Sequence, residues 1–556
     1  VTVTTDEIFH PAGYGAGKPD SLGTPGASAT VTASGVSGVS GSRRGSARPG
    51  GGTPGADRFG AEQGEWTAPS DLVTRLLCAA AYMREGFADR AGDELLTPSR
   101  GALSPLWQVD AVALARHVAQ AKRLRHDRDV WLAATLGYFV LAIFLSIAAA
   151  FLGWIHLTQM VVVWFVLFVW TYIVAVRLVY KQARTARRAA VAVTYEPEDA
   201  VVPPLERASA EQNLADLNRA NAVLFRGESS PFVGSGVNID AWHLTLDISK
   251  RSMPAHGRGE TDAEGKVTAR HAEPVPITGA DLQAALLATM PQRISPRPAS
   301  GNRLYVRGGS NALSVPLFRI GPVENDAVEA LNFRRPVTRI PESQVREYMD
   351  EPTEAARAYT YFQHSAWGGQ VVVTLFVRAF VSNQTMFVEG LVYALRPLQR
   401  QFYAVRGLAV NKRAEVTSLL PSALAESLPM MLQAPGEVAV KLLAGRAATL
   451  RSQATEAEIQ RRRDIDFGAR SSLREQVANY TLSDPFAAND ERIFYTIFNR
   501  RAMQCIGLFL ESKGVDLGEF NGQAGGIIGG TSAKAAAIYG AAVDNGITSS
   551  DGNDFE

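Results

Sequence analysis

The chain has 556 residues, with 56 Lys and Arg against 55 Asp and Glu and a formal net charge of +1. That balance excludes the Lys/Arg excess of a general nucleic-acid binder. Two cysteines, Cys78 and Cys505, exclude a disulfide framework and a thiolate zinc site.

Residues 1–66 are Gly-, Ser- and Pro-rich, and residues 1–64 alone hold 15 Gly and 5 Pro. Such a stretch buries too little apolar surface to offset its ordering entropy, so it is expected as a disordered tail. It lacks the basic-then-apolar opening of a secretory signal peptide. Residues 67–129 are expected as a cytoplasmic helical segment. Ser70 is positioned to cap a first helix carrying Leu72, Val73, Leu76, Leu77, Ala80 and Met83 at helical spacing. A second helix is expected from about Ser104 to Arg128.

From Val130 to Val176 run 47 residues without Asp, Glu, Lys or Arg. As one helix they would extend roughly 70 Å, more than twice a hydrocarbon core of about 30 Å. Two helices broken at GWIHLTQ (153–159) fit, which predicts a transmembrane hairpin over 130–180. Lys122, Arg123, Arg125 and Arg128 precede it and Arg177, Lys181, Arg184, Arg187 and Arg188 follow, while the turn is uncharged. The positive-inside rule then puts both termini in the cytoplasm of an inner-membrane protein. The nine basic residues face the level of anionic lipid headgroups. Ala142, Ser146 and Ala150 form a small-residue ridge that suits close approach of the second span, with its bulky Trp164, Phe165 and Phe168.

Residues 181–221 read as a juxtamembrane linker and helix, and 222–420 as a cytoplasmic α+β domain. Trp242, Leu244, Leu246 and Ile248 alternate with polar residues as a strand should. Residues 251–276 read as a loop. Strands are expected at 303–307 and 312–320, and three more in succession in RAYTYFQHSAW, QVVVTLFVRAFVS and TMFVEGLVYALRPL, turning at WGGQ and VSNQ. Residues 421–516 are expected as a helical segment, with separate helices at 423–432, 437–461 and 490–513. Residues 517–556 are expected as a loosely ordered Gly/Ala-rich tail. The fold class is α+β: a transmembrane helical hairpin with a cytoplasmic mixed domain of antiparallel strands plus helices, and disordered tails.

The blocks LVTRLLCAAAYM, SSPFVGSG followed by the strand of Trp242, AWGGQVVVTLFVR and MFVEGLVYALRPL resemble a family of uncharacterised actinobacterial integral membrane proteins. Of the 56 basic residues 47 are Arg, a bias that agrees with a GC-rich genome. The resemblance implies no activity, and no catalytic residue follows from it.

No complete phosphate-binding loop, dinucleotide fingerprint, HExxH, CxxC or GxSxG pattern is present. No cofactor and no metal are expected. The best ligand-binding candidate is the loop of Ser230, Phe232, Gly234, Ser235 and Gly236 with Trp242 after it. A Gly-Ser-Gly turn can aim backbone N–H groups at an anion. The same glycines also suit a plain turn in which Phe232 plugs the core. Asp240 and Asp247 lie seven apart on a strand, hence on opposite faces, which disfavours joint acid–base work. The sequence thus points to a membrane-anchored, cytoplasm-facing scaffold for a protein partner not identified by sequence. Alternatives are a membrane-tethered enzyme for a phosphorylated or lipid-derived substrate, or a small oligomeric pore.

Overall fold

The computed structural model describes residues 71–97, 101–154, 156–227, 229–250, 277–309, 336–408, 412–461, 466–481 and 484–548. The expected tail at 1–66, the loop at 251–276, the strand at 312–320 and residues 549–556 lie outside them. The architecture is α+β, with a mixed six-stranded sheet and two long apolar helices.

Helix α1 (Leu72–Met83) starts from Asp71, and Ser70, the expected cap, lies outside the described residues. Helix α2 (Glu85–Leu95) follows it. Helix α3 (Ala111–Phe151) begins at Asp110, whose carboxylate accepts the N–H groups of Val112 and Ala113, so residues 104–110 are not helical as expected. It then continues without a break through the onset of the uncharged stretch. Helix α4 (Leu157–Tyr195) returns after Gly153, which sits at φ 76° in the turn. No helix break falls at 129/130 or 180/181, where the sequence reading divides the chain. A change of charge density alters which solvent a helix suits, but it breaks no backbone hydrogen bond. Each helix is about 60 Å long, and its uncharged half alone is about 30 Å.

Helix α5 (Ala208–Asn218) leads to the sheet of β1 (Ala222–Phe225), β2 (Val237–Asp247), β3 (Ala299–Arg307), β4 (Ala356–Ala366), β5 (Val371–Ser382) and β6 (Thr385–Leu395). The order is β1-β3-β4-β5-β6-β2, with β1 parallel to β3 and every other pair antiparallel. The three successive strands are the meander β4-β5-β6. Asn383 and Gln384, both at positive φ, close its second hairpin in the two-residue turn that matches strand twist.

Helices α6 (Gly279–Thr289), α10 (Pro485–Ser512) and α11 (Gly518–Thr548) cover one sheet face, in a core that includes Trp242, Leu244, Leu375, Phe498 and Ile506. Helix α7 (Glu342–Asp350) packs on the β1-β3-β4 end. Trp107, Phe232, Tyr305, Phe376 and Tyr393 form an aromatic core of their own. A further core joins α1, α2, the inner ends of α3 and α4, the turn of helix at Arg400–Gly407 and α9 (Leu473–Gln476).

Two expectations at the C-terminal end fail. Helices expected at 423–432 and 437–461 are one helix, α8 (Lys412–Arg461), which passes through Pro421, Pro429 and Pro435 and crosses the expected boundary at 420/421. The expected loose tail is α11 as far as Thr548. Its Phe520, Ala524, Thr531 and Ala535 are buried at helical spacing, so tertiary burial outweighs the weak helix propensity of its glycines.

Candidate functional site

The loop proposed for ligand binding is an anion nest already occupied by the chain. Gly234 and Gly236 take φ of 92° and 88°. A Cβ on Gly236 would stand 2.2 Å from the Ala394 carbonyl, so only glycine fits there. Both glycine N–H groups donate to Glu475 Oε1 at 2.8 Å. Burial pushes the Glu475 carboxyl above the usual carboxylate range, and the N–H groups of Gly236, Gly234 and Ser472 pull it back. Beside it Arg474 is fully buried, donating to the carbonyls of Arg396 at 2.9 Å and Gln370 at 3.2 Å; burial lowers its pKa to about 10.

Phe232 is buried against Phe376, Tyr305, Tyr393 and Tyr359, with ring centroids 4.6–5.1 Å away. Ser230 Oγ lies 3.5 Å from the Tyr393 hydroxyl, and the Ser235 side chain is buried. Gly234 and Gly236 thus fasten the loop to α9, while Phe232 and Ser230 hold it against the sheet. The sequence foresaw the turn and the plug but not the carboxylate that fills the nest. No local signal marks Glu475, because it arrives from 239 residues beyond Gly236.

Trp242 belongs to a different core from the loop. Its ring lies over Gly390 on the neighbouring strand, where a Cβ would come within 2.1 Å. Its indole N–H donates to Asn499 Oδ1 at 3.0 Å. Asn499 Nδ2 in turn donates to Asp240 Oδ2 at 3.1 Å and to Thr531 Oγ1 at 3.1 Å, and the Tyr495 hydroxyl donates to Asp240 Oδ2 at 2.9 Å. Lys534 pairs with the other Asp240 oxygen. Burial, reinforced by Asp240, raises the Tyr495 pKa. This network ties β2, α10 and α11 together. Asp247 lies apart, accepting from Ser249 at the end of β2. Tyr495 and Asn499, one turn apart on an otherwise apolar stripe, were the missed signal.

Among the described residues, no group of three or more His, Cys, Asp or Glu converges as a metal site. A cleft of about 260 Å³ opens between α1 and the Arg400–Gly407 turn, lined by Arg84, Gln401 and Phe402 among others.

The basic flanks divide into two groups. Arg125 is buried and donates to the Ala81 carbonyl at 2.8 Å, so it does not face headgroups as expected. Lys122 pairs with Asp89, Arg123 with Glu206 and Arg128 with Asp129. Arg184 and Arg188 both reach Glu415, and Arg187 donates to Ser418. Arg177 and Lys181 are exposed, with no acidic group within salt-bridge distance among the described residues. Between the two long apolar helices, the Trp164 indole donates to Ser146 Oγ at 2.6 Å, which puts the small-residue ridge against the second helix.

A family model described as the AbeC-like domain matches residues 241–545. No curated protein and no solved structure matches the chain. The matched stretch begins in β2, takes in α8 and ends within α11, leaving the two long apolar helices outside it. It covers more than half of the sequence, and the chain belongs to the AbeC-like domain family.

Proposed function

We propose that the protein is a membrane-anchored scaffold that holds its mixed-sheet body against the cytoplasmic face of the inner membrane. One observation carries this reading. Helices α3 and α4 run unbroken from exposed, charge-free outer halves into inner halves that are packed into the body. A hairpin joined to a domain by a linker would let the domain swivel. Here two continuous helices make the anchor part of the domain's own core, as a device for presenting a surface at fixed height would require. The basic flanks and the uncharged turn support both termini being cytoplasmic. The resemblance to an actinobacterial integral membrane family agrees with that placement.

The test is topology together with assembly. Alkaline phosphatase fused at Gly153 is expected to be active, and the same enzyme fused after residue 556 inactive. In native membranes the full chain is expected in a stoichiometric complex with another protein after mild solubilisation. A translocated C-terminus would overturn the orientation. A chain that migrates alone from native membranes would overturn the scaffold reading.

A further inference from the structure

Helix α8 shows a pattern that a helix lying in water should not have. From Val416 to Gly436 it carries one charged residue, Glu426, and it contains three prolines. Each proline removes a backbone N–H and costs about 3 kcal/mol in an ordinary helix interior. The hydroxyls of Ser418, Ser422 and Ser427 bond back to the carbonyls of Glu415, Leu419 and Leu424.

Burial along α8 follows a strict order. Glu415, Ala423, Ser427 and Met431 are buried and Leu419 half-buried, and each is followed by an exposed apolar residue. Those residues are Val416, Leu420, Leu424, Leu428 and Leu432, 37–61% exposed. One face therefore packs on α3 and α4, and the face beside it is a leucine stripe that no described residue covers.

The height of that stripe can be read from its neighbours. At one end Glu415 meets Arg184 at 3.3 Å and Arg188 at 3.4 Å, on the basic flank of α4. At the other, Lys441 meets Asp129, the last charge before the first uncharged stretch, at 2.9 Å. Between these ends the Leu424 carbonyl accepts from the Tyr172 hydroxyl at 2.9 Å. Tyr172 lies five residues inside the charge-free stretch, or about 7.5 Å along the helix axis. Ala423, Met431 and Ala434 share a cluster with Leu132, Ala175, Val176 and Val179 at the same level. An amphipathic helix seated in the interface buries its apolar face about 5–10 Å into the headgroup–acyl boundary.

We infer that α8 is a third membrane-contacting element, an interfacial helix that lays Leu420, Leu424 and Leu428 into the cytoplasmic leaflet beside the hairpin. The occupant of the stripe is the bilayer, because the stripe continues the exposed apolar surface of the two spans at the depth where they enter. The inference rests on the membrane reading above. It extends that reading to the family domain itself, since α8 falls within the matched residues and the hairpin does not. The sheet body is thereby held at the surface by its own helix as well as by the anchor.

The test uses the full chain in vesicles of phosphatidylcholine and phosphatidylglycerol, with spin labels at single introduced cysteines. The two native cysteines are buried, and the parent chain serves as the labelling control. Labels at Leu420→Cys, Leu424→Cys and Leu428→Cys are expected to collide more with oxygen than with a water-soluble nickel chelate. Phe144→Cys, in the first span, should do the same, and His243→Cys, on the exposed face of β2, should show the reverse. Nickel-dominated collisions at 424 and 428, with Phe144→Cys still in lipid, would overturn the inference and leave the anchor standing. Shielding of 424 and 428 from both reagents would assign the stripe to a protein or a second copy, and would overturn it equally. A Phe144→Cys label in water would instead defeat the membrane reading on which both rest.

Discussion

Before Asp129, α3 buries Arg116, His117 and Arg125 among alanines, Leu114 and Val118; after it, the same helix exposes Tyr138, Leu141, Phe144 and Leu145. The inner half gives each of these three buried side chains a partner. Arg116 pairs with Glu211, His117 Nδ1 lies 3.0 Å from the Tyr82 hydroxyl, and Arg125 holds the Ala81 carbonyl. Among the outer half's described groups the notable side-chain bond is that between Ser146 and Trp164. The contrast teaches that burial and hydrophobicity are separable. A residue is buried because a neighbour covers it, and it is apolar because of the solvent outside.

The sharpest way to break the contrast is to put a charge where the outer half expects lipid. Leu141→Arg, near the middle of the first uncharged stretch and 57% exposed, is expected to cost about 2.5–3.5 kcal/mol of insertion free energy. A glycosylation-based insertion assay reads this directly. The same variant would be nearly neutral if that surface faced water.

The inner half is open to proton linkage. Burial, helped by Arg116, lowers the His117 pKa from 6.5 to about 4. A folded-state pKa below the unfolded one means that the unfolded chain binds the proton first. Stability is therefore complete above about pH 6.5 and falls as pH drops toward 4, by about 2 kcal/mol near pH 5. His364, buried and stacked on Phe494, is lowered to about 4 as well and should add to the loss. Unfolding in detergent across this range should flatten partly in His117→Gln and further when His364→Gln is added. An unchanged slope would mean that neither imidazole is buried neutral.

The smallest expected effect separates the two kinds of flanking arginine. Arg177→Gln with Lys181→Gln should weaken the preference for anionic over neutral lipid by about 1 kcal/mol per residue. Arg125→Gln should leave that preference alone and lower stability, since a hydrogen bond from a charged group to a buried carbonyl is worth about 1.5–3 kcal/mol. Equal lipid effects from both would erase the distinction drawn between them.

The hairpin was legible because 47 residues without charge need no context to interpret, and the β4-β5-β6 meander because its alternation and turns are local. What escaped was decided at a distance. The continuity of α3 and α4 past their charge boundaries needed the body that covers their inner halves. The helix through Pro421, Pro429 and Pro435 runs against local stop signals because α3 and α4 support it. In α11, Phe520, Ala524, Thr531 and Ala535 carried a helical rhythm that the glycines masked. At the candidate site the positive-φ glycines were legible, whereas Glu475, and the meeting of Asp240 with Lys534 across 294 residues, were not.

The long sequence separation between the hairpin and α8 also sets an order of assembly. Tyr172 and Arg184 are synthesised well before Leu424 and Glu415, which lie 252 and 231 residues further along. At about 5–20 residues per second, the hairpin waits on the order of ten to fifty seconds for its partner helix. On the membrane reading the hairpin is in the bilayer by then, so α8 meets an interface that already exists. Its prolines disfavour a finished helix in the nascent chain. On that reading the membrane surface is the template on which α8 is completed, and α10 and α11, which follow it in the chain, cover the sheet face last.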